Sequence, residues 1–378
     1  MSQVARLLLV SDVHSKVDNV HRLAMCLQRR NVKPDLIVLC GDLVNTNHDY
    51  DSFSLSSGIS TVRKDASSNP TISSPFQEAA DTLARMRRQQ EETEFRAILH
   101  GLGGISKNIF YIPGNHDPSE AFPDMHPTTS VTADETETSA ADRPLWYRMQ
   151  VATGAINFHQ RLVRLAPNLI LAGFGGSVPQ TLRGHQKIVH SGYPYNEKQM
   201  RQGVHALLKQ RRPMLPNIQD VIKSGYDRSK PISANNDPDA HILVTHCGPA
   251  SIGTTDINKT PFDEKTTRLE SGSRELQELL SSRLYQGIEE VPVVPKSKAS
   301  VAARPSPPST SSKVSPNLLF HVHGHSHSAW GVSHLGKIPI INPGPLRDGR
   351  YAIATIEHGL GLGLVRRWIL SAIEFATV

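Results

Sequence analysis

Short apolar runs that stop abruptly at polar residues recur along the chain. They occupy positions 7–10, 36–40, 109–112, 241–244 and 318–320. Continuous apolar runs of this length are typical of strands that are buried on both faces. The pattern therefore predicts the central strands of buried sheets, with polar residues at their carboxyl ends.

Between these runs, apolar residues recur at the i, i+3, i+4, i+7 spacing of amphipathic helices. The groups are Val20, Leu23, Ala24 and Leu27; Ala79, Ala80, Leu83 and Met86; Met200, Val204, Leu207 and Leu208; and Leu276, Leu279, Leu280 and Leu284. Ser74 and Gln77 have the spacing of a capping box, with Pro75 at the first helical position. We interpret the four stripes as core faces. Strands that alternate with helices indicate an α/β fold.

Three segments interrupt this alternation. Residues 45–73 are rich in Ser, Asn and Asp, residues 118–145 are acidic, and residues 291–317 contain six prolines. We expect loop insertions there, the last of them a disordered linker by composition. Chemically important histidines follow the third insertion, so we expect one domain over residues 1–378 and not two.

Composition limits the classes of function. The 378 residues are 38% hydrophobic and 20% charged, with a formal net charge of +6. The basic residues are scattered and form no stripe, which argues against a nucleic-acid partner. No apolar run is long enough to span a membrane, and the first residues read as a strand, so we expect a cytoplasmic protein. Three cysteines without a CxxC pair make a disulfide framework improbable.

Polar residues that can bind metal follow the predicted strands. They are Asp12, His14, Asp42, Asn115, His116, His246, His325 and His327. The carboxyl ends of parallel strands meet at one edge of a sheet, where α/β proteins bind their ligands. Asp12 and His14 are two residues apart, as are His325 and His327, so each pair points one way on an extended strand.

Three Asp or Asn oxygens and four histidines exceed the needs of one tetrahedral ion. Such a mixed set suits manganese, iron, zinc or cobalt better than calcium. Two divalent ions that share a carboxylate would use the whole set. A metal pair is a standard device for phosphate-ester hydrolysis, in which a bridging hydroxide attacks phosphorus in line.

Five motifs in series resemble the calcineurin-like metallophosphoesterase superfamily. They are Asp12-x-His14, Gly41-Asp42, Gly114-Asn115-His116-Asp117, Thr245-His246 and Gly324-His325-Ser326-His327. Each motif alone is weak, but their order and spacing together are specific. The resemblance runs from residue 6 to about 350.

The resemblance implies a fold, a ligand set and a reaction. The fold would be a four-layer α/β/β/α sandwich of two mixed sheets flanked by helices. Asp12, His14 and His327 would bind the first metal, Asn115, His246 and His325 the second, and Asp42 would bridge the two. His116 would protonate the leaving oxygen or stabilise the transition state, and Asp117 would orient His116. The substrate would be a small phosphodiester or phosphomonoester.

Departures from the family pattern limit which branch of the superfamily the chain resembles. Asn45 and Thr46 stand where protein Ser/Thr phosphatases carry the Asp-Arg of G-D-x-V-D-R-G, and Asp117 replaces their Glu. The Asn342-Pro343-Gly344 turn is closer to the phosphodiesterase-like group. A protein Ser/Thr phosphatase and a non-catalytic scaffold on the same fold are the alternatives. Oligomeric state is left open.

Two further groups of residues are less strongly indicated by the sequence. Arg347 and Arg350 could reach a substrate phosphate, because a guanidinium suits phosphate oxygens. In the stretch HVHGHSH, we expect His325 and His327 to bind one metal each. His321 and His323 lie within the strand, and we expect them to be core or supporting residues.

Overall fold

The computed structural model describes residues 3–46, 75–126, 143–182, 188–190, 192–210, 239–257, 269–286, 317–360 and 366–378. The strands are β1 (Gln3–Val10), β2 (Leu36–Leu39), β3 (Ile109–Tyr111), β4 (Ile156–Asn157), β5 (Arg161–Ala166), β6 (Leu169–Phe174), β7 (Gln180–Leu182), β8 (Ile188–His190), β9 (Ala240–Thr245), β10 (Asp256–Ile257), β11 (Leu269–Glu270), β12 (Asn317–His323), β13 (Gly331–Leu335), β14 (Ile338–Asn342), β15 (Arg350–Leu360) and β16 (Arg366–Thr377). The helices are α1 (Val17–Arg29), α2 (Pro75–Gly103), α3 (Leu145–Thr153), α4 (Glu197–Lys209), α5 (Arg274–Ser281) and α6 (Arg283–Gln286). Short 3-10 turns lie at Ser119–Ala121 and Leu346–Asp348.

Two mixed six-stranded sheets form the centre of the molecule. The first has the order β16-β15-β1-β2-β3-β4, and the second has the order β13-β14-β12-β9-β6-β5. Strands β1 to β4 are parallel, and β15 and β16 extend them in antiparallel hairpin form. In the second sheet β6, β9, β12 and β14 are parallel, with antiparallel edges β5 and β13. Every predicted buried strand is confirmed.

Alternation along the strands separates the molecule into four layers. In β1, Leu7 and Leu9 face the core between the two sheets, whereas Leu8 and Val10 face α1 and α2. This follows from the two-residue period of a strand, which sends successive side chains to opposite faces. On the outer face of the second sheet, β6 and β9 pack against α4 and α5. The predicted α/β/β/α sandwich is confirmed.

Three of the four predicted helical stripes are buried, and one is not. Val20, Leu23 and Leu27 lie in the core, as do the stripe of α4 and Leu276, Leu279 and Leu280 of α5. Leu284, predicted to continue the last stripe, lies in α6 and is partly buried. In α2 the prediction of a core face is wrong, because Ala79 and Ala80 are exposed and Leu83 and Met86 are 64% and 63% exposed.

Helix α2 is much longer than the short strands beneath its carboxyl-terminal half. Its 29 residues extend over about 44 Å, whereas a four-residue strand such as β2 spans only about 13 Å. Phe95, Ile98, Leu99 and Leu102, near its carboxyl end, make the contact with the core instead. The first half of the helix therefore extends past the sheet.

A third, four-stranded sheet was not predicted. It has the order β10-β11-β7-β8, and its strands of two or three residues are too short to show a period. We call it the accessory sheet. The predicted insertions 45–73 and 291–317 lie almost wholly outside the described residues. So do residues 127–142 of the predicted insertion 118–145.

Two smaller features complete the description. Cys26, Cys40 and Cys247 are free thiols, as predicted. Among the helices that the structure describes, none combines the length and the apolar character needed to cross a membrane.

Candidate metal centre

The seven predicted metal ligands come together where five strands end. Ligand atoms of one group lie within 4.8 Å of one another, and so do those of a second group; the groups are Asp12, His14, Asp42 and His327, and Asp42, His246 and His325. Asn115 adjoins the second group, with its Oδ1 atom 2.9 Å from Nε2 of His246. Asp42 belongs to both groups, which is the position expected of a bridging carboxylate.

The backbone turns sharply at these residues. Asp12, His14, Asp42 and His325 have φ angles of 52°, 48°, 53° and 64°, in the left-handed region that residues with a Cβ seldom adopt. Strands β1 and β12 end before these residues, so their pairs do not converge through strand alternation as expected. Each left-handed residue instead redirects the chain at the strand end.

Gly324, which precedes His325, does not itself take the left-handed conformation. His325 takes the positive φ angle, whereas Gly324 provides space. A Cβ atom on Gly324 would collide with Oγ of Ser11 and would lie 2.7 Å from Oδ2 of Asp12. The loop of His325 can therefore approach the loop of Asp12 only because residue 324 has no side chain.

Backbone contacts aim the imidazoles into the site. Nδ1 of His246 lies 2.6 Å from the carbonyl oxygen of Cys40 and donates to it, which directs Nε2 towards Asn115 and Asp42. Nε2 of His327 is 3.1 Å from both Oδ1 of Asp12 and Nε2 of His14. Two imidazole nitrogens and a carboxylate thus converge at one point, an arrangement suited to a cation.

Asp42 provides the clearest test of whether a metal fits. Its Oδ1 atom accepts a hydrogen bond from the amide of His116 at 2.8 Å. Its Oδ2 atom is buried and has no hydrogen-bond partner among the described residues, although Nε2 of His246 lies 3.3 Å away. A buried carboxylate oxygen without a partner is costly, and a shared divalent cation would satisfy it. The donor set therefore fits two metal ions.

Burial and neighbouring charges raise the pKa values of some groups in the site and lower those of others. Burial raises the pKa of Asp12 and Asp42, but the neighbouring histidines outweigh burial and hold both pKa values below their usual range. Burial alone would lower the pKa of His246, yet Asp42 raises it to about 9. Burial next to His246 lowers the pKa of His325 to about 3. The carboxylates are thus ionised and His325 is neutral, the forms that bind metal, whereas His246 must release a proton when a metal binds.

Asp117 is bonded to the backbone around the site. Its Oδ1 atom accepts from the amide of Val44 at 3.0 Å, and Oδ2 accepts from the amide of Gly114 at 2.8 Å. Burial and the nearby Asp42 raise its pKa to about 7, although both amides favour the charged form. These contacts brace the loops that carry Asp42 and Asn115. The predicted orientation of His116 by Asp117 stays a prediction.

His116 lies beside the ligand groups and outside both of them. It is half-buried, and its ring meets that of His14 edge to face with 5.3 Å between centroids. Its backbone is held on both sides, by the Asp42 carboxylate and by the amide of Thr46 at 2.7 Å from its carbonyl oxygen. The ring is therefore placed at the rim of the site.

The predicted Asn342-Pro343-Gly344 turn supports the last ligand loop. The side-chain amide of Asn342 donates to the carbonyl oxygens of Ser326 at 2.9 Å and of Ala329 at 3.3 Å. After the turn, the amides of Leu346 and Arg347 donate to the carbonyl oxygens of Ser11 and Asp12. Asn342 is thus a positioning residue whose role the sequence did not specify.

The two candidate arginines lie outside the ligand groups. Arg347 is exposed, with Nε 3.6 Å from Oδ1 of Asp348. The guanidinium of Arg350 packs over the ring of Trp330 at 4.9 Å and reaches the His327 carbonyl oxygen at 3.4 Å. Neither guanidinium forms an ion pair with a candidate ligand side chain in the described part of the chain, so phosphate binding by them stays a prediction.

The division within HVHGHSH agrees with the geometry. The ring of His321 bonds the Thr245 hydroxyl at 2.7 Å, and the ring of His323 bonds the Gly324 carbonyl oxygen at 2.9 Å and the Thr254 hydroxyl at 3.0 Å. Neither histidine belongs to the two ligand groups of the described residues. Both are buried supports of the loop that follows.

One contact of the site had no signal in the sequence. Nε2 of Gln180, on strand β7 of the accessory sheet, lies 2.8 Å from Nε2 of His325. A glutamine on a three-residue strand matches no motif, so sequence reasoning could not have found it.

Comparison with known proteins agrees with this geometry. The family model described as calcineurin-like phosphoesterase matches residues 5–329. The chain belongs to this family. As a metallophosphoesterase, it is a hydrolase of phosphoric ester bonds. No curated protein sequence matches it.

Solved structures match the chain at low sequence identity. One covers 98% of the phosphoesterase and 100% of its own chain at 13% identity, with a TM-score of 0.51. A dimetal phosphatase from Danio rerio covers 98% of this chain and 100% of its own at 10% identity, with a TM-score of 0.38. An NAD nucleotidase from Haemophilus influenzae covers 100% of this chain and 54% of its own at 9% identity, with a TM-score of 0.39. Of these three, the first supports a common fold.

Proposed function

We propose that this phosphoesterase uses two divalent metal ions to hydrolyse a small phosphodiester or phosphomonoester. The observation that carries the proposal is the position of Asp42. It is shared by both ligand groups, and its buried Oδ2 atom lacks a hydrogen-bond partner among the described residues. Manganese, iron, zinc and cobalt all suit this donor set.

Each group would hold one ion. Asp12, His14 and His327 would bind the first, and Asn115, His246 and His325 the second, with Asp42 between them. When bound, the pair would neutralise phosphate charge and lower the pKa of a water for attack on phosphorus. Two hydrogen bonds support this division because they hold the metal-binding atoms in place: Nδ1 of His246 donates to the carbonyl oxygen of Cys40, and the amide of His116 donates to Oδ1 of Asp42.

His116 would act on the leaving oxygen. Its ring is at the rim of the site and is not needed in either ligand group, so it is free to donate a proton. Its backbone bond to Asp42 couples its position to that of the bridging carboxylate.

The branch and setting are part of the proposal. Asn45 and Thr46 replace the Asp-Arg of protein Ser/Thr phosphatases, which favours a small-molecule phosphodiesterase-like enzyme. A single domain and a cytoplasmic location remain predictions.

Two substitutions test the site. The Asp42→Asn variant should lose bound metal and activity together, because the bridging charge is gone. The His116→Ala variant should keep its metal and lose about 10²-fold or more in rate if the imidazole is a general acid. Metal content is measured by mass spectrometry, and hydrolysis with bis-p-nitrophenyl phosphate and p-nitrophenyl phosphate.

His334→Ala is the matched control, because this histidine is exposed on strand β13. It should match the unmodified protein in both measurements. Stoichiometric metal binding without turnover of any ester, tested with Mn, Co, Ni, Zn and Fe, would instead support a non-catalytic scaffold.

A further inference from the structure

The Gln180 side chain engages the atom of His325 that a metal would need. A hydrogen bond between Nε2 of Gln180 and Nε2 of His325, 2.8 Å apart, requires the amide to donate and the imidazole to accept. If the amide were rotated, its oxygen would accept from a protonated Nε2. In both cases the lone pair of His325 Nε2 is unavailable to a metal.

The strand that carries Gln180 is firmly anchored beside the site. Strand β7 pairs with β11 through Thr181 and Glu270. Immediately after β11, the hydroxyl of Ser271 bonds that of Ser326, the residue between His325 and His327. The carbonyl oxygen of Ser271 also lies 3.2 Å from Sγ of Cys247, next to His246.

These anchors decide what happens to the amide when a metal binds. The metal takes the lone pair of His325, so the amide must leave that nitrogen. Because β7 is tied to β11 and β11 to the ligand loops, the strand itself stays in place. The Gln180 side chain can then rotate only about its own bonds. Its amide therefore stays within about 3 Å, one hydrogen-bond length, of the second ligand group, where a bound phosphate would lie.

We propose that Gln180 is a substrate-positioning residue whose amide is displaced from His325 by the metal and then donates to a phosphoryl oxygen of the ester. This inference rests on the proposed function. It assigns to the accessory sheet the task of presenting one neutral donor to the substrate. Arg350 packs on Trp330 and Arg347 lies beside Asp348, so in the described structure neither occupies the position of the Gln180 amide next to His325.

The proposal predicts opposite effects on two ligands. The amide competes with metal for His325, so its removal should leave metal affinity unchanged or raise it. The same removal takes a hydrogen bond from phosphate, and a bond to a charged group should be worth roughly tenfold or more in affinity. If Gln180 merely supported His325, its removal would weaken the binding of metal and of phosphate together.

The experiment uses the full chain, stripped of metal and then reloaded, with Gln180→Ala and Gln180→Glu. Calorimetry first measures Mn²⁺ binding to the metal-free proteins, and then inorganic phosphate binding to the loaded ones. Gln180→Ala should bind Mn²⁺ at least as tightly and phosphate about tenfold or more weakly. Gln180→Glu should bind Mn²⁺ more tightly and phosphate more weakly still, because its carboxylate attracts the cation and repels the anion. In steady-state hydrolysis, Gln180→Ala should raise KM more than it lowers kcat.

Gln90→Ala is the control, since Gln90 is exposed on α2 and bonds Glu94 at 2.9 Å. It should change neither affinity. The inference about Gln180 is overturned if Gln180→Ala binds phosphate as tightly as the unmodified protein, or if it loses metal and phosphate binding together. In either case, hydrolysis by the unmodified protein would still support the proposed function. An unmodified protein that binds neither Mn²⁺ nor phosphate would overturn both.

Discussion

At the scale of single residues, the centre is built from conformations that cost free energy. Four of the seven candidate ligands have positive φ angles, and such residues typically cost about 1–3 kcal/mol each. Next to them, the hydroxyl of Ser11 bonds the Asp12 carboxylate, and both oxygens of that carboxylate lie 3.1 Å from the amide of His325. Close packing of the loops around Asp12 therefore holds the strained backbone in place.

Gly324→Ala should disturb this packing. The added methyl would meet Ser11 and Asp12, so we expect a loss of about 2 kcal/mol or more in the free energy of unfolding and weaker metal binding. Urea unfolding of the metal-free protein and metal titration measure the two effects. Gly359→Ala is the control, because nothing lies within 4 Å of the added atom there. Equal stability of the two variants would contradict this account.

The candidate ligands were easier to predict from the sequence than the residues that support them. Asp12, His14, Asp42 and the later histidines stand at fixed places after apolar runs, so pattern and resemblance were enough. Asn342 and Gln180 act through contacts between distant segments, and no local pattern encodes such contacts. The left-handed backbone of His325 was also unexpected, because the spacing of His325 and His327 was interpreted as that of an extended strand.

At the scale of elements, strand β12 combines structural and chemical roles. It lies between β9 and β14, and its histidines 321 and 323 are fully buried. Burial and the adjacent His323 lower the pKa of His321 well below its usual value, and burial lowers the pKa of His323 to about 4. The strand thus buries two neutral imidazoles just before the ligand loop.

These imidazoles should make the metal-free protein less stable in mild acid. The unfolded chain takes up a proton at His321 as the pH falls through about 6.5, whereas the folded chain does not. The contribution of the neutral, buried His321 to the free energy of unfolding is therefore fully present above this pH and decreases below it. From pH 6.5 to 5.5 one such histidine should cost about 1 kcal/mol.

His321→Gln tests the sign and size of this effect. Glutamine keeps a donor for Thr245 but cannot titrate, so urea unfolding of the variant should show a loss smaller by about 1 kcal/mol over the same interval. His334→Gln, exposed on β13, should behave like the unmodified protein. An identical pH dependence in all three proteins would show that His321 does not titrate between the two states.

Elements with a clear period were predictable, and those without one were not. The buried strands and the α1, α4 and α5 stripes followed from spacing. Helix α2 has a regular apolar stripe at Leu83 and Met86 that is exposed in the described structure, so an apolar period alone did not show burial. The accessory sheet rests on pairings such as that of β7 with β11, which only the folded chain reveals.

At the scale of the whole molecule, the centre joins the two large sheets. Asp12, Asp42 and Asn115 follow strands of the first sheet, and His246 and His325 follow strands of the second. A metal held by both sets crosslinks the two layers of the sandwich. Metal binding should therefore stabilise the global fold and not the loops alone.

Removal of metal should lower the melting temperature. At a free metal concentration 100 times Kd, binding to the native state alone adds about 2.7 kcal/mol, which corresponds to several degrees (~5 °C) in a chain of this size. Differential scanning calorimetry with and without EDTA measures the change. The Asp42→Asn variant should have the same melting temperature with and without EDTA. If EDTA lowered the melting temperature of this variant as much as that of the unmodified protein, the crosslink by metal at Asp42 would be contradicted.

The spread of the ligands along the chain also dictates when the centre can arise during synthesis. Asp12 and His327, which contact each other, are 315 residues apart. A ribosome must therefore finish most of the polypeptide before the first metal group is complete. Until β15 emerges, β1 also lacks one of its two neighbours, and an open strand edge invites pairing with other chains. The first ligand group therefore cannot form before His327 has been synthesised, and β1 keeps an open edge until β15 has followed it.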